Sequence, residues 1–65
     1  MTDTVKTLIQ LTKAQGITQA ELSEKIGVTR GAVWLWFNDG RTPSINYVEK
    51  WADAIGYKVV IVRKK

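Results

Sequence analysis

Along most of the chain, apolar residues recur at three- and four-residue intervals; over the last few positions they run together. Val5, Leu8 and Ile9, with Thr12, keep the spacing that makes one stripe on a helix over about 3–15. Thr2, Asp3 or Thr4 can cap that helix, and Gly16 ends it. A second helix, over about 18–26, opens on Thr18-Gln19-Ala20-Glu21. This is a capping box, in which the Thr hydroxyl accepts a backbone N–H and Glu21 reaches back. Ile17 precedes it as a staple, and Ala20, Leu22, Ser23 and Ile26 fall toward the core. Only Gly27 and Val28 separate it from Thr29, the cap of a third helix over about 29–38. So short a junction forces a sharp turn, for which Gly27 supplies left-handed backbone. "NDGRTPS" is loop chemistry throughout. Ser44 then caps a fourth helix over about 45–55, striped by Ile45, Val48, Ala52 and Ile55 and closed by Gly56.

The period changes at the end. Tyr57-Lys58-Val59-Val60-Ile61-Val62 is rich in β-branched residues and predicts a strand over about 57–63. Val60 and Val62 face one way, Val59 and Ile61 the other. No second strand pattern occurs, and a lone strand leaves its backbone groups unpaired. The expected partner is the same segment of a second copy, antiparallel across a two-fold axis. Tyr57, Val59, Val60, Ile61 and Val62 then form a homodimer interface. The alternative is a tail that is unstructured or lies on its own helices. Tyr47, Trp51 and Ala54 make a second apolar strip on the fourth helix. Trp51 is either the edge of the core or part of that interface, and we place it at the interface, where aromatic residues are enriched.

Sixty-five residues allow one core and one domain, 1–65. Cysteine and histidine are both absent, which leaves neither a disulfide nor a zinc site to staple the fold. No metal or cofactor is expected. The six carboxylates are scattered through caps and surface positions, and no glycine-rich phosphate loop occurs, so the chain does not read as an enzyme. No apolar run reaches the roughly 20 residues of a membrane span. MTDTVKTLIQ lacks the charged-then-apolar order of a signal segment, so a soluble cytoplasmic domain is expected. Net charge is +4, but residues 1–56 hold six basic and six acidic side chains. The surplus lies wholly in Lys58, Arg63, Lys64 and Lys65. A solubilising tail explains it as well as nucleic acid does, so placement has to carry the functional reading.

The placement lies in residues 19–38, QAELSEKIGVTRGAVWLWFN. Leu22, Ile26, Val28, Val33 and Trp36 are the apolar contacts that two crossing helices need; Ser23 is small where they approach, and Gly27 sits at the turn. This pattern, with the NDGRTPS loop that follows, resembles the Cro/lambdoid-repressor helix-turn-helix, or XRE, family over residues 4–56. The resemblance implies a mainly α, four-helix lambda-repressor-like DNA-binding domain, here with one C-terminal β-strand added.

With Val33 aimed at the core and about 100° turned per residue, Trp36 and Phe37 fall on the core side. Gly31, Leu35 and Asn38 fall on the far face, with Trp34 about a quarter turn from the core. Trp34 either packs on the loop or fourth helix or lies along a DNA strand. In the family the first turn of the third helix points into the major groove, so Arg30 is placed to pair with guanine O6 and N7. Otherwise it is a surface charge or a phosphate contact. Leu35 stands where the family often places a base contact and suits a thymine methyl. Gly31 departs from the family's usual polar reader, which removes one base contact and lets the backbone or Arg30 come closer. Gln19, Thr29, Asn38 and Arg41 are expected on phosphates, with Lys25 a weaker candidate.

The function so implied is a sequence-specific regulator binding double-stranded DNA, a Cro-like repressor acting as a homodimer on a near-palindromic operator. An antitoxin that binds both DNA and a toxin partner is the alternative, and a purely structural interaction module a third.

Overall fold

The computed structural model describes residues 3–61, 63 and 64. Thr2 as a candidate cap, Val62 at the expected interface and Lys65 in the basic tail lie outside the described residues. The described residues form α1 (Asp3–Ala14), α2 (Gln19–Ile26), α3 (Arg30–Asn38) and α4 (Ile45–Ala54). Each lies within a residue or so of the bounds that periodicity and caps predict.

Local chemistry sets those bounds. The Ile17 amide reaches back to the Thr12 carbonyl at 3.2 Å, closing α1 around Gly16. At the start of α2 the capping box is complete. The Glu21 amide donates to Thr18 Oγ1 at 3.1 Å, and the Thr18 amide to Glu21 Oε1 at 3.3 Å. At its other end Gly27 turns left-handed at φ 84°, and the amides of Gly27 and Val28 converge on the Ser23 carbonyl at 2.8 and 3.0 Å. The hydroxyl of Thr29 then accepts the Ala32 amide at 3.2 Å and starts α3. With both ends pinned, three residues hold α3 across α2. Ser44 stands at the α4 cap position, but its side chain makes no capping bond.

All four helices converge on a core of Val5, Leu8, Leu22, Ile26, Val33, Trp36, Val48, Trp51, Ala52 and Ile55. Trp51 is at its centre with no exposed surface. Its ring stacks on Trp36 at 5.7 Å and on Phe37 at 5.5 Å between centroids. Its indole N–H donates to the buried Thr12 hydroxyl at 2.9 Å. This corrects its placement at a subunit interface: Trp51 is fully buried and finds ring partners and a bond for its polar edge within one chain. Ile45, placed on the core stripe by its spacing, is the first residue of α4 and is 62% exposed.

The C-terminal segment departs furthest from expectation. Among the described residues no strand forms, and Tyr57 to Ile61 are irregular. A strand exists only as a member of a ladder, and no described segment offers one. The Tyr57 amide instead bonds the Ala52 carbonyl at 2.7 Å, as part of the α4 terminus. Nor does the segment alternate: Val59 packs half-buried on the core, while both Val60 and Ile61 are exposed. Gln15 Nε2 donates to the Ile55 carbonyl at 2.7 Å, fastening the end of α1 to the end of α4.

Candidate nucleic-acid interface

One side of α3 is committed to the core. Val33 and Trp36 are buried, Phe37 packs half-buried against them, and Tyr47 of α4 covers Trp36 at 5.9 Å between ring centroids. That fixes which way the remaining residues point. Arg30, Gly31, Trp34 and Asn38 are all exposed. Arg30, Trp34 and Asn38, four residues apart, make one row along the helix, with Gly31 and Leu35 in the next. Trp34, the boundary residue of the sequence reading, is 54% exposed and does not enter the aromatic cluster. Leu35 is half-buried rather than fully outward, so its side chain offers an edge to a partner.

The polar groups of this surface are oriented but not used up. Asn38 Nδ2 donates to the Trp34 carbonyl at 3.1 Å, which holds the amide against the helix and leaves its second N–H for an acceptor such as a phosphate and its oxygen for a donor. Thr29 is exposed, and its hydroxyl oxygen accepts the Ala32 amide while its proton stays available to an incoming acceptor. Arg41, in the loop after α3, pairs through Nε with Asp39 Oδ2 at 3.4 Å, and both side chains are largely exposed. Its two terminal nitrogens are therefore free for another anion. Gln19 lies apart on α2, half-buried as the first residue of that helix. Lys25 is exposed near the α2 terminus.

The structure thus gathers Thr29, Arg30, Gly31, Trp34, Leu35 and Asn38 on one helix and its cap, while Gln19 and Arg41 come from flanking elements. Sequence reasoning missed Asp39, whose carboxylate is the only anion paired on this side among the described residues. The signal was the opposite charge two residues before Arg41. Tyr47, read from sequence only as part of an apolar strip on the fourth helix, lines with Gly27, Val28, Thr29, Ala32 and Trp36 an open groove between the α2–α3 turn and α4. The described residues hold no cluster of side chains suited to a metal ion, and no helix is long and apolar enough to cross a membrane.

The surface is the exposed side of a nine-residue helix, and it carries donors and one aromatic ring. It suits insertion into a groove more than enclosure of a small molecule. The sequence model of a family described as helix-turn-helix matches residues 8–62, most of the chain. No curated protein and no solved structure matches it.

Proposed function

The chain belongs to the helix-turn-helix family, of the XRE type, and from that premise we propose that it is a sequence-specific, Cro-like repressor of transcription. The observation that carries the proposal is the division of α3. Val33 and Trp36 lock one side into the core, while Arg30, Gly31, Trp34 and Asn38 stand in solvent along the other. In this reading α3 enters the major groove of double-stranded DNA. Arg30, in its first turn, donates to guanine O6 and N7, and Leu35 meets a thymine methyl at the edge of the contact. Trp34 lies along the sugar-phosphate strand, and Gln19, Thr29, Asn38 and Arg41 hold phosphates and so fix register rather than sequence.

So few cations on one protomer support only weak binding, and a homodimer doubles them. The C-terminal segment supplies a surface for it. Tyr57, Val60 and Ile61 are exposed, Ile61 by 98%, next to the half-buried Val59. An apolar edge of this kind is costly in water unless it is covered. We place a second copy there, which sets two recognition helices about one turn of DNA apart on a near-palindromic operator. Repression follows from occupying a promoter.

Selection from a random duplex pool at about physiological salt, followed by sequencing, tests both parts. A two-fold symmetric motif with half-sites about 10 bp apart supports the repressor dimer. A single half-site keeps the DNA reading and removes the preformed dimer. No enrichment removes the DNA reading. Sedimentation of a Val60→Asp, Ile61→Lys variant completes the test, since monomers with weakened operator binding are expected from it. If those exposed residues instead capture a toxin-like partner, the variant loses that protein and keeps its own oligomeric state.

A further inference from the structure

Gly31 is the one glycine in the chain whose backbone does not call for glycine. The other four, at 16, 27, 40 and 56, have φ between 70° and 86°, whereas Gly31 lies within α3 and is absent from the left-handed set. Space does not call for it either. Apart from Arg30, Ala32 and the local helix backbone, a Cβ built at Gly31 would have only Thr29 Oγ1 within 4 Å, at 3.9 Å, an ordinary van der Waals contact. Glycine in a helix nevertheless loses more backbone freedom on folding than alanine does, so the position carries a cost the fold does not require.

The bare position lies on the exposed side of α3, directly after Arg30 and one turn before Trp34 and Leu35. We infer that Gly31 is a point of close approach, where the DNA meets helix backbone with no side chain between them. The inference rests on the DNA reading above and deepens it. The major groove is about 12 Å wide and an α-helix with its side chains measures about 10–12 Å, so the fit leaves little slack. Removing the side chain at the contact face lets the helix axis sit deeper. It also brings Cα–H groups against sugar or base-edge oxygens, a weak but recurrent contact. Depth in turn sets whether the guanidinium of Arg30 reaches base edges or stops at the phosphates. Gly31 is therefore a positioning residue for Arg30 as well as a contact in its own right, and it acts on specificity more than on general affinity.

The test compares wild type with Gly31→Ala, Gly31→Ser and Gly31→Asn on two probes, the duplex selected from the random pool and a shuffled duplex of the same composition. Gly31→Ala is expected to fold with a thermal midpoint at or above that of wild type. Its affinity for the selected duplex falls about tenfold, near the low end of what one good base contact is worth, and Gly31→Asn falls further. Binding to the shuffled duplex changes little in all three. Unchanged or tighter binding of the selected duplex by Gly31→Ala overturns the close approach. So does a lowered thermal midpoint in that variant, which would make the glycine structural. Failure of the wild type to enrich any sequence is a separate result, seen before any variant is made, and it removes the DNA reading together with the inference.

Discussion

Trp51 Nε1 donates to Thr12 Oγ1 across 2.9 Å, and neither residue has any exposed surface. The Thr12 hydroxyl donates in turn to the Leu8 carbonyl at 2.6 Å, so α1 supplies a partner for the one polar atom of the largest fully buried side chain. Thr12→Val keeps the shape but leaves the indole N–H without an acceptor. A loss of about 1–3 kcal/mol is expected, the cost of an unsatisfied buried donor. Thr12→Ser should recover much of it. Adding Trp51→Phe to Thr12→Val should cost less than the two single changes summed, because the second change removes the orphan. Urea denaturation of the four proteins measures the cycle, and strict additivity would show that the bond contributes nothing.

The caps separate two residues that look alike in sequence. Thr18 closes a full capping box, whereas the Ser44 side chain makes no capping bond. Thr18→Ala is expected to destabilise the domain by about 1 kcal/mol and Ser44→Ala by far less. Equal losses would mean that the Ser44 hydroxyl finds the α4 amides in solution.

These two cases also show what could be read from sequence. The capping box and the Gly27 turn were legible because each is settled within a few residues: a hydroxyl reaches an amide three positions on, and only glycine is at ease at φ 84°. Helical geometry, once Val33 faced inward, put Gly31, Leu35 and Asn38 on the far face; Gly31 and Asn38 are exposed there, Leu35 is half-buried, and Trp34, left open between packing and solvent, is exposed. Trp51 was not legible. It lies beside the α4 stripe, and only the arrival of Thr12 from α1 and of Trp36 and Phe37 from α3 decides that it is covered. The C-terminal segment failed for a related reason. Its β-branched residues state a preference of the backbone, but a strand also needs a second segment, and none of the described residues provides one. Asp39 was overlooked because its effect lies in its pairing with Arg41 and not in its own chemistry.

That pair makes a third prediction. Asp39 holds Arg41 through Nε and places a negative charge on the side proposed to meet phosphates. Removing it releases the guanidinium and ends a repulsion. Asp39→Asn is expected to tighten binding to selected and shuffled duplexes alike and to leave the thermal midpoint almost unchanged, since exposed pairs contribute little to folding. The slope of log affinity against log salt should steepen by less than one phosphate contact per protomer, below roughly 0.9. Arg41→Ala should do the reverse. An Asp39→Asn variant that binds as wild type does would place Arg41 away from the DNA.

Arg30 separates recognition from simple charge attraction. It is exposed in the first turn of α3, one residue after the Thr29 cap, and makes no ion pair among the described residues. An unpaired guanidinium at that place keeps its full fork of donors for a partner outside the chain. If that partner is guanine, Arg30→Ala should weaken binding to the selected duplex by about 1–3 kcal/mol and relax the preference at one position of each half-site. The shuffled duplex should lose much less. Arg30→Lys keeps the charge but not the bidentate geometry, so it should recover general affinity without recovering the preference. The measurement is repeated selection with each variant, read beside titrations of both duplexes. Should Arg30→Ala weaken the two duplexes equally while Arg30→Lys restores both, the residue is a phosphate contact. The sequence preference of the protein would then have to come from Leu35, from Trp34, or from the shape of the DNA against the bare backbone at Gly31.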